Sequence, residues 1–143
     1  EMHQEVQSNY KQADIMIMAA AVADYTPINI AKDKLKKTEK ELQLKLKTTQ
    51  DILGSIGQLK SKKQLLIGFA LETNNEIKNA KEKLIRKNLD LIILNSLNDK
   101  GAGFECDTNK ITILDKNNKV EVYELKSKSE VASDIFNKIL SLL

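Results

Sequence analysis

The sequence predicts an α/β domain in which a mostly parallel sheet carries helices on both faces and a β-hairpin follows near the carboxyl terminus. Three observations predict it. Apolar runs without alternation at residues 14–20, 64–70 and 89–95 suit strands covered on both sides. Segments with apolar residues at helical spacing separate and follow those runs. The stretch "KITILDKNNKVEVYEL", residues 110–125, alternates on either side of an Asn-Asn pair, as a hairpin does.

Residues 2–12 read as a helix leading into the first strand, "DIMIMAA". "LQLKLK", residues 42–47, alternates strictly, which predicts a half-exposed strand. In "TTQDILGSIGQLK" the spacing of Ile52, Leu53, Ile56 and Leu59 predicts a helix, with Thr49 as its expected N-cap. "QLLIGFA" is the second buried strand, and "NNEIKNAKEKLIRK", residues 74–87, an amphipathic helix that turns Ile77, Ala80 and Leu84 inward. "LDLIILN" is the third buried strand, "GAGFECDTN", residues 101–109, a loop. The hairpin turns at Asn117-Asn118, and a last helix over 128–142 places Val131, Ile135 and Ile139 on one face.

At 143 residues, 41% hydrophobic and 30% charged, the chain has the composition of one globular domain. No apolar stretch reaches the length of a membrane span and no signal-peptide pattern opens it, so a cytoplasmic location is expected. The 23 basic and 20 acidic residues are interleaved, with three tyrosines and three phenylalanines for stacking, which argues against nucleic acid. One cysteine, Cys106, fits a reducing compartment, and one histidine, His3, leaves no material for a histidine-based metal site or triad.

Strands alternating with helices imply right-handed crossovers, and ligands of such sheets bind beyond the carboxyl ends of the strands. Those ends are residues 19–24, 70–73 and 95–98. "AAAVADY" therefore places small side chains and the carboxylate of Asp24 at the rim: the alanines leave room and the acid supplies acceptors. Lys83 and Lys87, four apart on one helix, repel each other by roughly 0.2–0.5 kcal/mol, a penalty that an anion between them removes. Each feature alone also fits a bland role in packing, capping or a solvated face.

Together, "AAAVADY", "KLKK" about ten residues later, "TTQDIL", "GFALET" and "KLIRKNLDLIILN" resemble the phosphopantothenate-cysteine ligase family of coenzyme A biosynthesis, from about residue 12 to the end. The resemblance implies a Rossmann-like nucleotide-binding ligase that joins 4'-phosphopantothenate to L-cysteine. CTP is the co-substrate in bacterial members and ATP in some eukaryotic ones, with Mg2+ accompanying the triphosphate. It implies a 4'-phosphopantothenoyl-CMP intermediate and a homodimer. Carried over by motif, Ala20 and Asp24 approach the nucleotide, with Asp24 accepting from the ribose hydroxyls. Lys34, first of "KLKK", is the expected catalytic lysine on a flap. Gln50, Asp51, Ile52 and Leu53 line the cytosine pocket, Phe69 contacts the nucleotide, and Lys83 and Lys87 reach the triphosphate.

Two departures qualify the match. Gln50 stands where the family has proline, which loosens the helix start. The glycines fall at 54, 57, 68, 101 and 103, so the family's earlier glycine-rich segment has no counterpart, and the chain is expected to be the carboxyl-terminal portion of a longer enzyme. A non-enzymatic alternative is a nucleotide-binding or dimerising fragment. A nicotinamide-binding domain is disfavoured because no glycine-rich fingerprint opens a helix.

Overall fold

The computed structural model describes residues 1–36, 41–99 and 106–143. Its central sheet has the order β1-β4-β5-β7-β8, with β1 at Ile15–Met18, β4 at Leu65–Glu72, β5 at Leu91–Ser96, β7 at Ile111–Asp115 and β8 at Val120–Val122. β1, β4 and β5 run parallel, and the β7–β8 hairpin continues the sheet antiparallel. The helices are α1 (Met2–Asn9, continued by a 3-10 turn at Tyr10–Gln12), α2 (Ile52–Leu59), α3 (Glu76–Arg86) and α4 (Lys128–Leu140).

The missing alternation in the strands now has its cause, because successive side chains enter two different cores. Leu66, Ala70, Ile92, Leu94 and Leu114 pack with Ile56 of α2, Ala80 and Leu84 of α3, and Val6 of α1. Leu65, Ile67, Leu91, Ile93, Ile111 and Ile113 pack on the other face with Val131, Ile135 and Ile139 of α4. Burying each of these large side chains contributes roughly 1.5–3 kcal/mol. α4 starts at a reciprocal cap in which the Glu130 N–H donates to Ser127 Oγ and the Ser127 N–H donates to Glu130 Oε2. The expected turn at Asn117-Asn118 is present. Asp115 Oδ1 accepts from the N–H groups of Asn117 and Lys119, and Asn118 takes a left-handed φ of 65°.

Four local expectations are corrected. Within "LQLKLK" the strand is confined to the end of the run: β3 is Leu46–Thr48 and pairs with a short β2, Tyr25–Pro27, as a separate two-stranded arm. Leu42, Leu44 and Leu46 are all exposed, because a two-stranded arm offers no second layer to bury an apolar face. Thr49 does not cap α2, since its hydroxyl donates to the Ala23 carbonyl, and Asp51 is the cap. Ile77, in the first turn of α3, is 39% exposed, while Ala80 and Leu84 are buried as expected. Of the expected 101–109 loop, residues 101–105 lie outside the described residues. Thr108–Asn109 form a strand, β6, paired antiparallel with β9, Lys126–Ser127.

The strand-entry end is closed by an ion cluster around a buried carboxylate. Asp90, 3% exposed, lies 2.9 Å from Lys60 and 2.8 Å from Lys116 and accepts the Leu66 N–H at 2.9 Å. Burial acts to raise its pKa, but the lysine hydrogen bonds and the Leu66 N–H outweigh it and hold the carboxyl below the usual range. A carboxylate with a depressed folded pKa stabilises the fold above its unfolded value of about 3.9, and that contribution is lost as pH falls through the folded value. Asp90→Ala is expected to lower stability in urea at pH 7 by roughly 3–5 kcal/mol, because it strands buried charge. Between pH 5 and 2 the wild-type protein should lose more stability than Asp90→Asn, as read from paired urea midpoints.

Candidate functional site

The parallel register brings the exits of β1, β4 and β5 to the same end of the sheet. Met18 stands beside Gly68, and Leu71 beside Asn95, so Ala19–Ala21, Phe69–Leu71 and Asn95 meet at one rim. A cavity of about 800 Å³ opens there, lined by Met18–Val22, Asp24 and Tyr25 after β1, Thr48–Leu53 before and within α2, Phe69–Leu71 of β4, and Lys83, Arg86 and Lys87 of α3. Asn95, Asn109, Lys128 and Met2 complete the wall. The volume falls in the range of small-molecule sites, roughly 300–1,000 Å³.

Two backbone-level devices hold the wall together. The Thr49 N–H donates to the Asp24 carbonyl at 2.9 Å and its hydroxyl to the Ala23 carbonyl at 2.6 Å, which fixes Asp24 beside the start of α2. α2 in turn lies against the end of α3 with no room between backbones. A Cβ on Gly57 would sit 1.9 Å from the Lys87 carbonyl oxygen. Asn88, in a left-handed conformation with φ of 50°, donates its side-chain amide to the Gly57 carbonyl at 2.6 Å. This approach brings the α2 cap and the last turn of α3 face to face.

The electrostatics follow. Asp51 Oδ1 accepts from the Gly54 N–H at 2.9 Å, capping α2, and from Lys87 Nζ at 2.8 Å. Burial acts to raise its pKa. The Lys87 and Gly54 hydrogen bonds, with the charges of Lys87 and Arg86, more than offset burial and keep the carboxyl below its ordinary value. Lys83 Nζ donates to the Phe69 carbonyl at 2.9 Å. Its pKa is pushed down by burial first and by Lys87 second, with Glu72 and Asp24 pulling the other way. The helix-spaced lysines thus take separate partners, a carbonyl for one and a carboxylate for the other, while Lys87 still bears on Lys83. The lining thus combines three cations at the end of α3 with the Asp24 carboxylate after β1, groups that suit a guest bearing both clustered negative oxygens and hydroxyls.

Of the residues singled out in the sequence, Ala20, Asp24, Gln50, Asp51, Ile52, Leu53, Phe69, Lys83 and Lys87 all line this cavity. Lys34 does not; it is exposed, and of its "KLKK" run Lys37 lies outside the described residues. Sequence reasoning missed Arg86, whose signal was its place three residues after Lys83 on the same helix. Lys128 and Asn109 were missed without such a signal, because the short β6–β9 ladder brings them in from the far side of the sheet. Among the described residues, no group of three or more His, Cys, Asp or Glu side chains is placed to hold a metal ion, and no helix is long and apolar enough to cross a membrane.

Residues 1–143 match the DNA/pantothenate metabolism flavoprotein C-terminal domain. The chain belongs to this family. Among its relatives, the coenzyme A biosynthesis bifunctional protein CoaBC of Bacillus subtilis is 42% identical over 142 residues, 99% of this chain and 35% of that protein. A cysteine/cysteine sulfinic acid decarboxylase from an unknown prokaryotic organism is 52% identical over 143 residues, 100% of this chain and 40% of that protein. The chain thus spans well under half of the curated relatives it matches. The crystal structure of the C-terminal domain of coenzyme A biosynthesis bifunctional protein CoaBC superposes with a TM-score of 0.76 at 37% identity, covering 99% of this chain and 62% of that one. The DNA/pantothenate metabolism flavoprotein from Streptococcus pneumoniae shares the fold, with a TM-score of 0.79 at 23% identity over 99% of this chain and 69% of that one. The Rossmann-like α/β class expected of the sequence is the fold of this family.

In this DNA/pantothenate metabolism flavoprotein C-terminal domain, Gly57→Ala is expected to separate α2 from α3. The variant should lose roughly 1–3 kcal/mol or more in urea unfolding, the cost of overpacking against a backbone that cannot yield.

Proposed function

We propose that the chain is the ligase domain of an enzyme that joins 4'-phosphopantothenate to L-cysteine at the expense of CTP, acting as a homodimer in the cytoplasm. Family membership and the coenzyme A biosynthesis for which the CoaBC relatives are named support this reading. The single observation that carries it is the cavity at the strand exits, lined by Lys83, Arg86 and Lys87 together with Asp24.

On this reading the substrate carboxylate attacks the α-phosphorus of CTP. An oxygen–phosphorus bond forms, the bond to the β-phosphate bridge breaks, and pyrophosphate leaves. The cysteine amine then attacks the acyl carbon of 4'-phosphopantothenoyl-CMP; a carbon–nitrogen bond forms, CMP departs and the amine gives up a proton. Both steps gather charge on phosphate oxygens, which fixed cations in a partly dehydrated cavity stabilise better than water does. Lys83 and Lys87 are the residues for the β- and γ-phosphates, and Asp24 for the ribose hydroxyls. Gln50, Asp51, Ile52 and Leu53 border the base, with Phe69 and Ala20 alongside. Mg2+ needs only one or two carboxylates besides phosphate oxygens. Among the described residues no group of three or more carboxylates is placed to hold the ion by itself, so phosphate oxygens and water would make up most of its shell, and it would supply charge neutralisation at the triphosphate. Lys34 stands outside the wall, so its proposed role requires the segment that carries it to fold over the bound nucleotide.

The dimer is supported by open apolar edges. β8 borders the sheet with Val122 67% exposed, and the arm leaves Ile28, Ile30 and Leu44 uncovered. Sedimentation equilibrium should return twice the chain mass; a monomer at micromolar concentration contradicts it.

The decisive assay supplies CTP, 4'-phosphopantothenate and L-cysteine to the protein that carries this chain. Formation of phosphopantothenoylcysteine with stoichiometric CMP is expected. Lys34→Gln should abolish turnover while leaving the urea midpoint unchanged. A near-normal rate in that variant removes Lys34 from the chemistry. CTP binding without turnover by any form of the protein would favour the alternative of a nucleotide-binding, dimerising module.

A further inference from the structure

We propose that Asp51 is an internal competitor for Lys87: its carboxylate holds the ammonium while the cavity is empty, yields it to a polyphosphate, and retakes it when pyrophosphate departs. The inference deepens the reading of the cavity as a polyphosphate site and rests on it.

Three observations carry it. First, the two members of the pair are unequally buried. The Lys87 side chain is 16% exposed and that of Asp51 56%, with Nζ and Oδ1 2.8 Å apart. Lys87 therefore needs a counter-charge inside the empty cavity, whereas Asp51 returns to water at little cost. Second, the carboxylate has a second oxygen. Oδ1 serves both Lys87 and the Gly54 N–H, so a rotation that keeps the cap of α2 on one oxygen can release the lysine without unwinding the helix. Third, the neighbouring cations are not latched by acids. Lys83 is held by the neutral Phe69 carbonyl, and among the described residues no carboxylate forms an ion pair with Arg86. An incoming polyanion thus meets Lys83 and Arg86 first and contends with Asp51 only for Lys87.

The consequence is a cost set on retention. A carboxylate beside the phosphate site repels the guest and offers Lys87 an alternative partner, so the site holds pyrophosphate less tightly than its three cations alone would. As an internal anion, Asp51 speeds exchange of one polyphosphate for the next and removes the need for an outside ion to neutralise Lys87.

The test is calorimetric titration of the full chain with inorganic pyrophosphate, which lacks base and ribose. Asp51→Asn keeps a strong N-cap without the charge, and Asp51→Ser is a second neutral cap should the first fail to fold. Either variant is expected to bind pyrophosphate about fivefold tighter than wild type, the scale of one partly exposed ion pair. In a Lys87→Met background most of that gain should vanish, which a capping role alone would not produce. Unchanged or weaker binding in both neutral variants overturns the proposal, as does a gain that persists in full without Lys87. The underlying reading is checked separately with Lys83→Met. If that substitution leaves wild-type pyrophosphate binding intact, the cavity is not the polyphosphate site. If it weakens binding while the Asp51 variants gain nothing, only the competitor role fails.

Discussion

The parallel pairing of β1, β4 and β5 is the constraint on which the rest depends. Parallel strands need crossovers, the crossovers here are α2 and α3, and both faces of the sheet must then be apolar. Leu66 and Ile92 feed one core while Ile67 and Ile93 feed the other, so a slip by one residue would exchange the two cores and misplace every exit. Because the register holds, Ala19–Ala21, Phe69–Leu71 and Asn95 arrive at the same rim. The cavity lies where β1 stops at Met18, level with Gly68, while β4 and β5 run on to Glu72 and Ser96, and where the residues that follow β1 are small.

Charge at that rim is arranged by a contact between backbones. Gly57 allows α2 to touch the carbonyl at the end of α3, and the geometry that results places the cap of one helix against a cation of the other. Asp51 does two jobs with one oxygen, capping and pairing, while burial first and then the charges of Lys87 and Arg86 lower the pKa of Lys83. The strand-entry end uses a different solution. There Asp90 is buried and saturated by Lys60, Lys116 and the Leu66 N–H, so that end is sealed by ion pairs, whereas at the exit end the cations line an open cavity.

Much of this was legible in the sequence because the signals were local. Unbroken apolar runs marked the three parallel strands, and Val131, Ile135 and Ile139 marked the inward stripe of α4. The nine cavity residues were anticipated through the resemblance to a known family, and they lie on segments whose ends the sheet fixes. What failed was decided by contacts distant in sequence. "LQLKLK" alternates as a half-buried strand would, but only its last residues pair, with Tyr25–Pro27, and no second layer comes over them. Thr49 has the chemistry of a cap, yet its hydroxyl is claimed by Ala23, twenty-six positions away. Ile77 keeps helical spacing with Ala80 and Leu84, but in the first turn of α3 it remains partly in solvent. Lys128 reaches the cavity only through the two-residue ladder between β6 and β9, too short to leave a periodic trace.

The central claim is that the acid after β1 and the amines of α3 receive a single polyphosphate guest. A crystal structure of the chain with CTP tests this most directly. The account predicts phosphate oxygens within hydrogen-bond distance of Lys83 and Lys87, with the ribose hydroxyls at Asp24. A nucleotide seated away from the strand exits, or bound there with its phosphates turned from α3, would contradict it.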